Sequence, residues 1–304
     1  MTASTPNPRV TLALVVLVAL LIGANFTALK FALDHTTPLL LAGLRTVVGG
    51  TFLLCFVILI RGERIPTDRE ILGRIFVVSL AITTISSGLL VIGVNRVSAG
   101  LASLLSSTMP LFTALLVLLL IGTRPSRLGL LGLGVGFFGT VVLVSPSLDG
   151  EATAVGIFAL TMSALAWAFG TVFMQWRDFG SVSPVMIVAV QLPMSAAILI
   201  PVALLTEGVG NTDWSMGLFV PLAYAAIPAN AVTFALMAII VKRAAATQAA
   251  ATAYLIPISG VFFGWLIRGE RLGTVELAGG VLVVTGVYLL VTAHARARMK
   301  GSTP

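Results

Sequence analysis

Ten apolar stretches, each about long enough to cross a lipid bilayer, follow one another along this chain with only short loops between them. An α-helix rises about 1.5 Å per residue, so roughly 20 apolar residues cover a 30 Å hydrocarbon core. The stretches are residues 10–33, 37–60, 72–95, 99–121, 127–145, 153–175, 183–205, 215–241, 247–268 and 273–293. They predict an all-α integral membrane protein with ten transmembrane helices.

The composition leaves no room for a large water-facing domain. Only 10% of the 304 residues are charged, whereas a soluble domain carries about 25% charged residues. The net charge of +7 does not indicate a nucleic-acid partner, because the basic residues sit at the ends of the stretches and not in a patch with aromatic residues. The single cysteine, Cys55, excludes an intrachain disulfide. The expected partners are the lipid bilayer and a small-molecule substrate.

The positions of the basic residues predict the orientation of the chain. If the N-terminus is cytoplasmic, most Lys and Arg residues fall in cytoplasmic loops or in the C-terminal tail. The exceptions on the outer side are Lys30, Arg96, Arg268 and Arg271. By the positive-inside rule we expect a multi-pass protein of the plasma (inner) membrane with both termini in the cytoplasm.

The ten stretches form two similar halves of five, residues 10–145 and 153–293. Sliding the chain on itself by about 147 residues superposes the span boundaries and several turn and kink residues. The superposed pairs include Pro110 and Pro257, Gly122 and Gly269, Gly139 and Gly286, and Arg96 and Arg243. Because five is odd, the two copies enter the membrane from opposite sides. We therefore predict two inverted five-helix repeats around a central cavity, as in many secondary transporters.

Several motifs of the two halves resemble the EamA repeats of the drug/metabolite transporter superfamily. They are Ile22-Gly23-Ala24-Asn25-Phe26, Leu44-Arg45, Asn95 to Gly100 leading into Ser107 to Pro110, Ile256-Pro257, and Arg268-Gly269-Glu270-Arg271-Leu272. The resemblance covers nearly the whole chain. It implies a ten-helix fold that exports small metabolites, most often amino acids, through a central cavity. One departure is Thr123, where the family usually has Glu in a Gly-Glu-Arg turn that the second half keeps as Glu270. We therefore expect this turn to be structural.

Polar side chains at helical spacing predict which faces line a cavity. The third stretch carries Ser79, Thr83, Ser86 and Ser87 on one face. In the eighth stretch, Asn230 and Thr233 are the repeat counterparts of Thr83 and Ser86. The fourth stretch carries Ser103, Ser106 and Ser107, with Tyr254 as the counterpart of Ser107. Because polar groups are costly in lipid, these faces should meet protein or a water-filled cavity. Each hydroxyl alone is typical of helix packing, whereas the matched stripes together favour substrate contacts.

Two deeper residues are further candidates for the cavity wall. Asn25 and Trp167 lie at nearly equivalent positions of the first and sixth stretches. A buried asparagine needs a partner, so Asn25 forms either an interhelical hydrogen bond or a substrate contact. Trp167 is too deep for the interfacial aromatic belt. With Tyr254 it would suit an apolar or aromatic substrate, and core packing is its alternative role.

Three prolines within the stretches predict helix kinks. Pro110 and Pro257 would each free the carbonyl four residues earlier, at Ser106 and Ala253, for a substrate ammonium group. The alternative is a purely architectural kink. Pro228 would act similarly ahead of Asn230, without a counterpart in the first half.

Arg45 is the one charged residue predicted to lie well within the membrane, about two turns below the outer surface, and its repeat counterpart is Gln191. Two roles are open for it. Arg45 can reach outward to pair with Asp34 or with helix-end carbonyls. It can instead hold the carboxylate of a substrate.

No Asp or Glu lies in the middle of a stretch. A proton-coupled exporter usually needs a buried carboxylate as its proton carrier. We therefore expect facilitated diffusion or exchange by alternating access. The two histidines, His35 and His294, lie at stretch ends, and the sequence has no phosphate-binding loop or metal-ligand spacing. This disfavours an integral-membrane enzyme and predicts no metal and no cofactor, while a receptor or scaffold remains open.

The expected substrate is an apolar or aromatic amino acid, and the second choice is a sugar, a nucleotide sugar or a drug-like metabolite. The glycine pairs Gly132–Gly136 and Gly260–Gly264 indicate close helix packing, which we expect within one chain. A monomer is therefore expected.

Overall fold

The computed structural model describes residues 8–122, 126–147, 151–233, 236 and 252–301. Within these residues the chain consists of helices joined by short connections, without any β-strand. The description covers the backbone but not the side chains of residues 8–12, 144, 147, 151, 152, 252–254, 291 and 294–301.

The described residues of the first half form five helices. They are α1 (Pro8–Leu33), α2 (Pro38–Cys55, continued by a π-helical turn at Phe56–Ile60), α3 (Arg69–Val78, a π-helical segment at Ser79–Ile85, and Ser86–Arg96), α4 (Ala99–Ser106, then Met109–Leu116 with a π-helical turn at Val117–Ile121) and α5 (Arg127–Val144, followed by a 3₁₀ turn at Ser145–Ser147). The predicted stretches therefore lie close to the observed helices, but α4 is interrupted at Ser107 and Thr108.

The second half contains the other helices. They are α6 (Glu151–Trp176), α7 (Pro184–Thr206), α8 (Met216–Ala226, continued by a π-helical segment at Ile227–Val232), α9 (Thr252–Arg268) and α10 (Thr274–Gly301). The eighth and ninth predicted stretches each have a part that lies outside the described residues, because 237–251 are not among them.

Local signals in the sequence set several helix ends. Asp68, Ser98 and Ser183 each precede a helix and accept a hydrogen bond from a backbone N–H of its first turn. Gly122 follows α4 and Gly269 follows α9, with φ angles of 77° and 67°. Glycine reaches this left-handed region without the steric penalty of a Cβ, so both helices end where the sequence offers a glycine.

Length and hydropathy make this an all-α membrane protein. Among the described residues, six helical segments are long and apolar enough to cross a bilayer: Ala13–Leu33, Pro38–Ile60, Arg69–Arg96, Ala99–Ile121, Thr153–Trp176 and Pro184–Thr206. Shorter apolar helices span Arg127–Leu143, Met216–Val232, Leu255–Arg268 and Thr274–Leu290. Large apolar side chains such as Leu59 and Leu205 are 78% and 87% exposed. An apolar outer surface of this kind suits lipid.

Glycines allow the closest helix contacts. A Cβ added at Gly132 in α5 would lie 2.7 Å from the carbonyl oxygen of Gly286 in α10, and one at Gly139 would lie 2.7 Å from the backbone nitrogen of Val283. A Cβ on Gly260 of α9 would overlap Ser103 of α4. The glycines that the sequence singled out therefore lie in contacts within the chain.

The helices pack in a regular set of pairs. The main contacts join α5 with α10, α2 with α7, α1 with α9, α3 with α6, α4 with α9, α1 with α8, and the second part of α4 with α6. A central apolar core, with Leu29, Val91, Leu105 and Leu160 among its members, lies between α1, α3, α4 and α6. The polar stripes are therefore held on tightly packed helices.

Candidate functional site

The π-helical segment of α3 carries Ser79 and Thr83, half of the predicted polar stripe. A π-helical turn has a wider hydrogen-bonding pattern than an α-helix and is often found at functional sites. The Ser79 hydroxyl donates to the carbonyl oxygen of Gln191 in α7 at 2.7 Å, and Thr84 Oγ1 donates to Ser195 Oγ at 3.1 Å. These side-chain bonds tie α3 to α7.

The α-helical end of α3 bonds to two other helices. Ser86 Oγ lies 3.0 Å from Ser163 Oγ of α6, and the Ser163 hydroxyl donates to the carbonyl oxygen of Ser86 at 2.7 Å. The next residue, Ser87, accepts a hydrogen bond from Nη2 of Arg45 in α2. Ser86 and Ser87 therefore both have polar partners from neighbouring helices.

Arg45 does not pair with Asp34, which is one of the partners that the sequence leaves open. Asp34 Oδ2 instead accepts from Nη1 of Arg268 at 2.9 Å, and no described Asp or Glu forms an ion pair with Arg45. The guanidinium does not reach outward, since the Arg45 residue is only 7% exposed. The physical reason is that Arg45 points into the contact with α3, where Ser87 meets it, while Asp34 lies at the end of α1 beside α9.

Six buried side-chain atoms have no hydrogen-bond partner in the described part of the chain: Asn25 Oδ1, Thr27 Oγ1, Thr37 Oγ1, Arg45 Nε, Thr83 Oγ1 and Gln191 Oε1. Gln191 is 2% exposed, Thr83 6% and Asn25 9%. Buried polar atoms usually find a partner, so each such atom needs an explanation. We call Arg45, Ser79, Thr83, Ser87 and Gln191 the polar seam; they lie where α2, α3 and α7 meet.

The hydroxyls of α4 are already engaged. Ser103 Oγ donates to the carbonyl oxygen of Gly100 at 2.8 Å, and Ser107 Oγ donates to that of Ser103 at 2.8 Å. Ser103 also packs against Gly260 of α9 and is fully buried. In this conformation the α4 stripe joins α4 to α9.

The prolines act differently from one another. α4 does not kink at Pro110 but breaks two residues before it, and Pro110 lies in the first turn of the following helix. A proline is well placed there, because it has no N–H to leave unpaired. Pro257 lies inside α9, and Pro228 is the second residue of the π-helical segment Ile227–Val232.

The predicted contacts of the second half are only partly described. Asn230 is half-buried within the π-helical segment of α8, and Thr233 Oγ1 donates to the carbonyl oxygen of Ala229 at 2.8 Å. Trp167 is half-buried and packs against an apolar cluster that includes Leu53 of α2 and Val190 of α7. The side chain of Tyr254 lies outside the described residues.

Carboxylates at helix ends are a feature that the sequence reasoning missed. Glu207, after α7, accepts from the backbone N–H groups of Leu39 and Leu40 at the start of α2, at 3.0 and 3.2 Å. Glu63, after α2, accepts from the hydroxyl of Ser183 at the start of α7 at 2.5 Å. The internal repeat could have indicated these contacts. Helices α2 and α7 are counterparts in the two halves, and each is followed by an acid that bonds to the start of the other.

Glu270 has the structural role expected for its turn. Its Oε2 accepts from the backbone N–H of Gly100 at 3.2 Å, and its Oε1 lies 3.9 Å from Nζ of Lys30. The carboxylate thus joins the ends of α4 and α1 to the turn after α9.

An apolar groove of about 570 Å³ opens between α1 and α8, which the sequence did not predict. Phe31 and Val220 are among its apolar walls, and Tyr224 lies along it and donates to the carbonyl oxygen of Leu21 at 3.0 Å. Its residues are separate from the polar seam. Among the described residues, no group of His, Cys, Asp or Glu could hold a metal ion.

A multi-helix membrane protein with polar, partly unpaired groups buried between its helices has an architecture that is common among membrane transporters. The comparison with family models makes this specific. The chain belongs to the EamA-like transporter family, whose model matches residues 9–145 and 154–292.

The curated relatives are similar over nearly their whole length. The uncharacterized transporter YvbV of Bacillus subtilis is 29% identical and covers 94% of this chain and 93% of its own. A probable amino-acid metabolite efflux pump of Salmonella typhimurium is 29% identical, and the match covers 91% of this chain and 93% of the pump. The uncharacterized inner membrane transporter YedA of Escherichia coli K12 is 28% identical, and the match covers 88% of this chain and 86% of YedA. This protein is therefore a transporter of the drug/metabolite type and not an enzyme.

A solved crystal structure shares the fold. It superposes with a TM-score of 0.66 over 96% of this chain and 99% of that chain, at 18% sequence identity.

Proposed function

We propose that the protein exports small metabolites, with apolar or aromatic amino acids as the substrates. The observation that carries this proposal is the similarity to a probable amino-acid metabolite efflux pump, 29% identical over 91% of the chain. Apolar helices that enclose buried polar atoms at Asn25 and Thr83 are compatible with a solute that has both a polar and an apolar part.

The fold proposed for this task is a pair of inverted five-helix repeats, residues 10–145 and 153–293, around a central cavity. The helix pairs support it. In an inverted repeat, each contact between two helices should recur between their counterparts in the other half. The contact of α1 with α8 recurs as that of α6 with α3, and the contact of α1 with α9 recurs as that of α6 with α4. The pairs α2–α7, α5–α10 and α4–α9 map onto themselves.

The backbone offers further support for the repeat. π-helical segments occur at Ser79–Ile85 in α3 and at Ile227–Val232 in α8, about 147 residues apart. Two further π-helical turns, at Phe56–Ile60 and Val117–Ile121, have no π-helical counterpart among the described residues. The matched pair therefore supports the repeat only for α3 and α8.

The proposed substrate contacts are Asn25, Thr83, Trp167, Asn230 and Tyr254. Ser86, Ser87, Ser103, Ser107 and Thr233 are proposed to shape the wall through hydroxyls that already have protein partners. The break before Pro110, together with Pro257 and Pro228, gives the helices points at which to bend.

Transport is proposed to run by alternating access as facilitated diffusion or exchange. The described acids lie at helix ends or in connections, where they bind backbone donors or basic residues. A flux that follows an imposed proton gradient at constant substrate gradient, and collapses with an uncoupler, would contradict this.

The proposed location is the plasma (inner) membrane, with both termini cytoplasmic and a monomeric chain. A relative described as an inner membrane transporter supports the location. Labelling of engineered cysteines at residues 150 and 300 tests the orientation, and we expect them on opposite sides of the membrane.

The experiment that tests the function is flux of an amino-acid panel through the purified protein in liposomes. We expect apolar and aromatic amino acids to move and the Trp167→Ala and Asn230→Ala variants to lower their flux. Absence of flux for every amino acid would refute the proposed substrate class. Unchanged flux in both variants would refute the assignment of Trp167 and Asn230 to the substrate cavity.

A further inference from the structure

Arg45 is a buried cation without a counter-ion in the described part of the chain. It is 7% exposed, and none of the described ion pairs includes it. The acids beside the ends of α2 have other partners. Asp34 binds Arg268, Glu63 binds Arg61 and Ser183, and Glu207 binds the first N–H groups of α2. Within a membrane an unpaired charge is expensive and marks a functional site by default.

The hydrogen-bonding capacity of Arg45 is largely unused. A guanidinium offers five N–H donors in a planar fork that matches both oxygens of a carboxylate. Among the described residues its side chain makes one hydrogen bond, from Nη2 to Ser87 Oγ, and Nε has no partner. A neutral Gln could also donate to that serine with a smaller desolvation penalty. The bond to Ser87 therefore does not account for a charged residue at this place.

A second buried hydroxyl lies on the same helix as Ser87, the hydrogen-bond partner of Arg45. Thr83 lies on α3 four residues before Ser87, about one helical turn towards the middle of the membrane. Its hydroxyl is buried and without a partner in the described structure. A hydroxyl can donate to an anion as readily as it accepts from a cation.

We propose that Arg45, assisted by Thr83, is the receptor for a carboxylate of the transported molecule. The protein would then select solutes by that group, and the bound carboxylate would serve as the missing counter-ion. The identification of the solute as an amino acid rests on the proposed function, whereas the carboxylate requirement does not.

Ligand binding to the purified protein tests this proposal with matched acid and amide probes. The pairs are phenylalanine against phenylalaninamide, and 3-phenylpropionate against 3-phenylpropionamide, which lacks the ammonium group. Because hydrogen bonds to a charged group are stronger than neutral ones, we expect the wild type to bind each acid roughly tenfold more tightly than its amide. Arg45→Gln should bind both members of each pair equally.

Thr140→Val is the matched control, since the Thr140 hydroxyl bonds to the carbonyl oxygen of Gly136 within α5, away from the polar seam. It should keep the preference for the acid. Thr83→Val, which removes only an unpartnered hydroxyl, should reduce that preference severalfold and keeps the test decisive if Arg45→Gln does not fold. A wild type that binds no carboxylate, or binds acids and amides alike, overturns the proposal. So does an acid preference that survives in Arg45→Gln or, should that variant not fold, is unchanged in Thr83→Val.

Flux measurements separate this inference from the proposed function. Transport of simple carboxylates without any amino acid would refute the amino-acid substrate and support the Arg45 receptor. Equal transport of amino acids and their amides would refute the receptor and leave the exporter in place.

Discussion

The α5–α10 pair and the polar seam are held together by opposite means. In the pair, backbones touch through glycines such as Gly132 and Gly286, and the hydroxyls of Thr140 and Thr285 bond within their own helices. In the polar seam, side chains reach across to other helices, as from Ser79 to Gln191, and several polar atoms have no described partner.

The two regions should respond to different kinds of substitution, one to side-chain size and the other to side-chain polarity. Contact between backbones tolerates no added volume, so α5–α10 should be sensitive to size and indifferent to polarity. The polar seam should show the reverse, because its unpartnered groups contribute little to stability and are available to a ligand. Changes of each kind can be made with controls on the same or a neighbouring helix.

The largest effect is expected from Gly286→Val in α10. The new side chain would overlap the backbone of Gly136, so stability should fall by about 3 kcal/mol or the folded protein should be lost. The matched change Gly134→Val in α5 meets open space, since no heavy atom lies within 4 Å of an added Cβ. Thermal unfolding and the monodisperse fraction in detergent report both. Similar melting temperatures for the two variants would break the comparison.

A smaller loss is expected from Ser79→Ala. It removes the 2.7 Å bond to the carbonyl of Gln191 and should lower stability by about 1 kcal/mol. Ser106→Ala serves as the control, because the Ser106 hydroxyl bonds to Ala102 of its own helix. We expect Ser106→Ala to change the melting temperature less. The reverse order would mean that the seam does not contribute to stability through its interhelical bonds.

Thr83→Val should leave stability unchanged or raise it slightly, because it replaces an unpartnered buried hydroxyl with a methyl group of similar size. Flux in liposomes should nevertheless fall severalfold if this hydroxyl contacts the solute. A variant that melts at a clearly lower temperature would indicate that the hydroxyl has a structural partner in the protein.

The smallest effect concerns the connection before α8, outside both regions. The hydroxyl of Ser215 and then the ring of His35 hold the pKa of Asp213 below its ordinary value of 3.8. A carboxyl with a lowered pKa stabilises the fold above its unfolded pKa and loses this contribution as the pH falls through the folded value. Asp213→Asn should therefore melt slightly below the wild type at pH 6, and the gap should narrow as the pH falls below 3.8. A gap that persists at low pH would contradict the charge as its cause.

Most helix positions could be read from the sequence, because bilayer thickness fixes the length of an apolar span. Pro38 and Pro184 mark the starts of α2 and α7, and Gly122 and Gly269 mark the ends of α4 and α9. The break at Ser107 and Thr108 could not be predicted, since a proline is compatible both with a kink and with the start of a new helix.

The polar residues of the site were predictable as a set, but their partners were not. Helical spacing placed Thr83 and Ser87 on one face, whereas the choice of Ser87 as the partner of Arg45 depends on how α2 and α3 cross. Asp34 was a reasonable partner by sequence distance, yet Arg268 from the other half reaches it. Such choices are made by tertiary packing.

Glu63 and Glu207 tie the two ends of the antiparallel α2–α7 pair at opposite faces of the membrane. Separating the pair at one face removes hydrogen-bond donors from a single carboxylate, while the tie at the far face stays closed. In the proposed alternating access, each acid would hold its own side of the pair closed while the other side opens.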